Sequence, residues 1–345
     1  MTIRSPLVSL LAMAVGLALA GAAGAQTAPK NWKAPRTSWG DPDLNGIYSN
    51  DDETGTPMER PAEYDGLTAE QLTPEKIKEI SDKRAQAFRE LTEGPRWANS
   101  ISPPPYLIFD TFDRNNRRPW LVVDPADGKI PPLVDAAKGR RQGRGTSTNA
   151  NANGPFNSYL DMGLYDRCIT RGIPSSMMPA GYGSRYEILQ SPDSVAIRYE
   201  MIHETRVVPI DRGLDRRPHV SQDLKQYLGD ARGHWEGDTL VVETTNFRAD
   251  SAPQRASESV KMIERFKRTA PDSVEWTVTF EDPNTWTRPW TYAMPLMQVD
   301  PSQQIYEYAC HEGNLAMRNI LSGARAKEAA AKAGEPAAAP PNQAR

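Results

Sequence analysis

The stretch VEWTVTFE, Val274 to Glu281, alternates without a break. Val274, Trp276, Val278 and Phe280 are apolar; Glu275, Thr277, Thr279 and Glu281 are polar. Successive side chains of a strand point to opposite faces, so the pattern describes a strand with one buried face and one wet face. Working outward, similar runs occur at Arg185–Gln190, Ser194–Ile202, Thr205–Ile210, Thr239–Phe247, Val260–Arg268, Trp290–Met297 and Gln303–His311, with turn residues between them. GHWEGD (233–238) reads as a turn region, and Gln222–Leu228 as a short helix that interrupts the series. The expected fold is mainly β: an antiparallel, lipocalin-like β-barrel or barrel-like meander. A two-sheet sandwich is the alternative, and the barrel is preferred because closure removes exposed edges.

The flanks divide the chain further. Residues 1–25 read as a secretory leader: Arg4, an apolar run from Leu7 to Ala20, and Ala23-Gly24-Ala25 as a small-residue cleavage site. Residues 26–183 read as an arm and irregular segment packed on the body. They include the strand candidates Ile47-Tyr48, Tyr106–Phe109 and Trp120–Val123. A helix is expected over 68–92. Thr68 with Gln71 forms a capping-box pattern, Thr73-Pro74 is a second start signal, and Ile77, Ile80, Ala87, Phe88 and Leu91 make one apolar stripe. Residues 137–157, rich in Gly, Asn and Thr with four basic residues, read as a flexible loop. Residues 184–323 form the β body, a closing helix covers 313–331, and 324–345 is a solvated Ala/Pro tail.

Composition narrows the function classes. The net charge is −3, and loss of Arg4 with the leader makes it −4, which argues against a nucleic-acid partner. No later stretch has the ~20 apolar residues that a membrane helix needs, so an exported protein without an integral segment is expected. Cys168 and Cys310 are the two cysteines. In an oxidising compartment they either pair across a long loop or remain separate buried thiols.

Only four histidines occur, and two sit in identical pairs at strand-like ends: His203-Glu204 and His311-Glu312. Each pair offers a near-neutral base to one side and a carboxylate to the other. His203 is in phase with Val195, Ile197, Tyr199 and Met201, and Glu204 with Arg198, Glu200 and Arg206. Asp230 and Arg232 lie in the glycine-punctuated run GDARGHWEGD. The candidate catalytic set is therefore His203, Glu204, His311, Glu312, Asp230 and Arg232, with a histidine as base and Arg232 holding an anionic or carbonyl group. Candidate ligand-wall residues are Tyr199, Trp235, Trp286, Arg288, Trp290, Tyr306 and Tyr308, because aromatic and arginine side chains stack rings. Ordinary core packing and solvated turns are the plainer reading of the same residues. His203, His219, His234 and His311 raise zinc, but HExxH, paired-Cys and H-x-H motifs are missing, so no metal and no cofactor are expected.

The motifs WGDPDLNGIYSN, TPMERP, VVDPADGKIPPL, DRCITRG, YEMIHETRVVPID, RPHVSQDLKQYLGDARGHWEGDTLVVETTNF, EDPNTWTRPWT and YEYACHEGN, spread from Trp39 to Arg325, resemble a large family of secreted bacterial proteins without an assigned function. The resemblance implies export but no catalytic set. At His234 the chain departs from the family's GRWEGD, which lowers that histidine as a site residue. Two functions of different class follow. One is a cofactor-independent enzyme that acts on a small aromatic, terpenoid or saccharide molecule by acid–base elimination, isomerisation or hydrolysis. The other is a secreted β-barrel that binds a small apolar, aromatic or sugar ligand without catalysis.

Overall fold

The computed structural model describes residues 32–93, 118–139, 156–180, 183–213, 218–300 and 302–334. The leader, the strand candidate Tyr106–Phe109 and most of the Gly/Asn-rich loop lie outside the described residues. Ten strands form one antiparallel sheet: β1 (Gly46–Ser49), β2 (Val122–Asp124), β3 (Arg185–Gln190), β4 (Ser194–Tyr199), β5 (Thr205–Pro209), β6 (Asp230–Glu236), β7 (Thr239–Thr245), β8 (Lys261–Ala270), β9 (Ser273–Glu281) and β10 (Trp290–Gln298). Their order is β5-β4-β3-β1-β10-β9-β8-β7-β6, with β2 also paired to β10. Two meanders, β3–β5 and β6–β10, are thus joined through β1, a strand contributed by the N-terminal arm.

The mainly antiparallel β class stands, but no ladder closes the sheet. Its edge strands, β5 and β6, meet at a single parallel bridge between Ile210 and Gly233, with the Asp211 amide donating to the Gly233 carbonyl at 2.7 Å. Close approach needs Gly233, because a Cβ there would lie 2.7 Å from Ile210 Cδ1. The inward side chains converge in one core. Trp276 meets Tyr292 edge-on at 5.6 Å between centroids, and Phe280 lies 4.8 Å from Trp290. Burying several such rings supplies most of the favourable free energy, at ~25 cal/mol per Å² of apolar surface.

Three expectations fail. GHWEGD (233–238), expected as a turn region, lies mostly in strand β6; only its last two residues, Gly237-Asp238, turn, where Gly237 supplies a φ of 60°. Gln303–His311, expected as a strand, is an irregular strap with no ladder partner. Its alternation is genuine, but β3, whose Arg185 it contacts, is already flanked by β1 and β4. Gln222–Leu228 forms turns rather than a helix, and Gln226 is held by a bridge to Phe247.

Helix α1 (Pro74–Glu93) starts at the expected Thr73-Pro74, and Thr68 and Gln71 make the capping box of the short 3-10 turn before it. Ile77 and Ile80 pack with Tyr64, Leu72 and Trp120 in a second small core. Helix α2 (Ala316–Ala333) buries no side chain, and it carries the EAAAK run that was expected to open a solvated tail. Among the described residues, no helix is long and apolar enough to cross a membrane.

Candidate functional site

The β4–β5 hairpin decides what the first His-Glu pair does. The Tyr199 amide donates to the Glu204 carbonyl at 2.8 Å, so Tyr199 and Glu204 stand opposite each other across the hairpin. Within the loop, Ile202 and His203 both have left-handed φ values, 61° and 45°. That conformation is costly for a β-branched residue such as Ile202. The two left-handed residues break the strand phase. His203 turns out to solvent, correcting the expectation that it follows Tyr199 inward, while Glu204 falls in register with Arg206 on the inward face. The His203 ring Nδ1 pairs with the Tyr308 carbonyl at 2.9 Å.

Glu204 is half-buried and accepts a 2.7 Å hydrogen bond from the Thr170 hydroxyl. Burial pushes its pKa up from the ordinary glutamate value of 4.5; the Thr170 bond and the Arg206 charge oppose this without cancelling it. Behind it, Arg206 pairs with Glu264 of β8 through both terminal nitrogens, one at 3.1 Å, with side-chain exposures of 3% and 0%. Trp276 Nε1 donates to the same carboxylate at 3.2 Å. Burial would lower the Arg206 pKa, but Glu264 and Tyr199 outweigh it and hold the guanidinium firmly charged. The hydroxyls of Tyr186, Tyr199 and Tyr292 are pushed up by burial.

Among the described residues, several inward polar atoms have no hydrogen-bond partner: Tyr186 Oη, Tyr292 Oη, Trp290 Nε1 and Asn50 Oδ1. Each such atom costs roughly 1–3 kcal/mol when left unsatisfied, so four on one side of the sheet form a feature that needs an explanation.

The second His-Glu pair reaches the same rim by another route. Cys168 and Cys310 form a disulfide with Cα atoms 5.8 Å apart, which resolves the choice between paired and separate thiols. The strap that carries Cys310 is also fixed by Tyr308 Oη to Tyr165 Oη at 2.9 Å and by Arg185 Nη2 to Gln303 at 3.0 Å. Tyr306 is exposed and lies beneath the Arg185 guanidinium, 5.9 Å from the ring centroid. His311 and Glu312 are exposed and make no side-chain bond to a described residue, so the two pairs share a rim without forming one acid–base centre.

Asp230 and Arg232 belong elsewhere. On β6 they alternate with the inward Ala231 and Gly233 and therefore face outward. There Asp230 Oδ2 meets His219 Nδ1 at 2.8 Å and the Val220 amide at 3.0 Å, and Oδ1 accepts from Arg232 at 2.6 Å. Arg232 also donates to the carbonyls of Ala231 and Pro218, so it braces its own loop rather than waiting for an anion. His219 Nε2 lies 3.4 Å from Glu243, which Lys261 holds at 2.8 Å. Burial acts to raise the Glu243 pKa, but Lys261 and His219 outweigh it and bring it below the ordinary value.

The expected aromatic wall divides. Trp286, Trp290 and Tyr199 are buried; Trp235 is partly buried against the core; Arg288 leaves the line and pairs with Asp124 in the open at 3.0 Å. The four histidines do not gather, and among the described residues no three His, Cys, Asp or Glu side chains are grouped to hold a metal ion. Arg206, Glu264 and Thr170 were missed as site residues. The signal existed: in KMIERFKRTA, Glu264 shares its phase with Met262 and Phe266, and an acid on an apolar face needs a partner. No protein-family model, curated protein or solved structure matches this chain.

Proposed function

We propose that this chain is a cofactor-independent enzyme that uses Glu204 as an acid–base group on a small organic molecule at the mouth of a barrel-like sheet. The observation that carries it is the position of Glu204: inward, half-buried, with a raised pKa, beside the Arg206–Glu264 pair and the Tyr199 ring. As a carboxylate, Glu204 would take a proton from a substrate carbon and, as the carboxylic acid so formed, return it to another carbon in an isomerisation or to the departing oxygen in an elimination; a raised pKa makes the carboxylate the stronger base. Thr170 fixes one carboxyl oxygen and so the direction of transfer. The Arg206 charge favours the ionised state and so opposes the upward push of burial. Isomerisation or elimination by proton transfer needs only one such group and is the reading preferred over hydrolysis.

In this reading His203 is a positioning residue that anchors the strap through the Tyr308 carbonyl. Export belongs to the same proposal, supported by the leader-like start, the resemblance to secreted proteins and a disulfide of the kind that persists in oxidising compartments. The test is turnover by the oxidised full chain on a panel of small aromatic, terpenoid and saccharide compounds. Glu204→Gln is expected to lower kcat at least about 100-fold with thermal stability retained. His219→Gln, on the outer face, is expected to leave kcat within a few fold. The opposite ranking of the two variants overturns the proposal. Saturable binding across the panel without product favours the non-catalytic reading.

A further inference from the structure

Helix α2 buries none of its side chains, yet its sequence is patterned. Met317, Ile320, Leu321 and Ala324 recur at the spacing of one helix face, and each is only partly covered. At about 3.6 residues per turn, Arg318, Arg325 and Lys332 fall along one border of that stripe and Lys327 along the other. The opposite side carries small or polar residues such as Asn319, Ser322 and Ala326. Two contacts place the helix on the body. Asn314, just before it, donates to Cys168 Sγ at 3.4 Å, and the Arg325 guanidinium donates to the Asn157 carbonyl at 3.4 Å. Both lead to the segment 157–168. There Tyr159 and Leu160 are 56% and 50% exposed, and Leu315 at the start of the helix is 58% exposed. Three large apolar side chains therefore stand in water beside a half-covered stripe.

Charge identifies the partner. The helix carries four cations, Arg318, Arg325, Lys327 and Lys332, and one carboxylate, Glu328, a balance of +3 in a chain whose net charge is −3. All five side chains are exposed. Cations on both borders of an apolar stripe suit a bilayer surface, where their aliphatic stems stay with the apolar residues and their charged ends reach anionic headgroups. A second copy of the chain fits this face less well, because its own basic borders would be brought against these. Among the described residues no helix is long and apolar enough to cross a membrane, so α2 would lie in the headgroup plane. We infer that α2, with Leu315, Tyr159 and Leu160 beside it, is a docking surface for a bilayer rich in anionic phospholipid. The inference is independent of any chemistry at Glu204.

The test is flotation of the oxidised full chain with vesicles of phosphatidylcholine alone and of phosphatidylcholine with an equal part of phosphatidylglycerol. Partition onto the anionic vesicles is expected to exceed that onto the neutral ones at least about tenfold, and to fall as salt is raised. Arg318→Gln and Lys327→Gln are each expected to weaken it about fivefold, the effect of one charge near a membrane surface. Leu315→Ser is expected to weaken it several-fold at high salt as well as low, since apolar burial is not screened. Lys78→Gln, on the exposed side of α1, is expected to leave it unchanged. All four side chains are exposed, and near-ultraviolet dichroism checks that each variant is native. No preference for the anionic vesicles, or equal effects of Lys78→Gln and the α2 variants, overturns the inference. So does a dimer in sedimentation that Leu315→Ser dissolves, without partition onto vesicles, because the face then belongs to a second copy.

Discussion

Glu204 shows how one side chain links the hairpin to pH. Its pKa is raised in the folded chain, chiefly by burial, so the native state binds its proton more tightly than the unfolded state does. Stability from this group is therefore full below the ordinary value of 4.5 and is lost as pH rises through the higher folded value. Glutamine does not titrate. Urea melts of the wild type and Glu204→Gln across that window are expected to show wild-type stability falling relative to the variant as pH rises. A parallel pair of curves would show that Glu204 is solvated like any surface acid. The strand pattern gave this residue's phase with Arg206 but not the inward face on which both lie. Alternation placed Tyr199 and His203 on one face, whereas the left-handed Ile202 and His203 reset the register between them.

At the scale of elements, the β6–β7 hairpin holds the outer cluster and also meets the sheet's opposite edge. Gly229 opens it with a φ of 67°, and a Cβ there would lie 2.5 Å from the Thr245 carbonyl oxygen, a backbone atom that cannot move aside cheaply. Gly229→Ala is expected to cost about 2–4 kcal/mol from left-handed strain and overpacking together. Denaturant melts measure the loss, and amide exchange should locate it in β6 and β7. A change below about 0.5 kcal/mol would mean that the hairpin relaxes freely. Helix α1 is the contrasting case. Its start at Thr73-Pro74 was readable because capping and proline geometry act within a few residues.

For the whole molecule, the disulfide is the covalent constraint between distant segments. Cys168 and Cys310 are 142 residues apart in sequence, and closing a loop of that length restricts the unfolded chain by up to about 5 kcal/mol. The bond also anchors the strap whose Tyr308 contacts Tyr165 and His203. The double variant Cys168→Ser/Cys310→Ser is expected to unfold at lower denaturant and to exchange the strap amides faster, while the β8–β9 amides stay protected. Loss of protection in β8–β9 as well would show that the bridge holds the sheet itself. The sequence alone determined the β class, nearly all the strand positions and the start of α1, because alternation and capping are local properties that each stretch carries with it. Only the tertiary structure decided that β1 lies between β3 and β10, that Cys168 meets Cys310, and that Arg206 finds Glu264. It likewise decided that Asp230 and Arg232 face away from Glu204. Those outcomes depend on which distant segments share a face, and pairing across the sheet leaves no periodic trace in either partner.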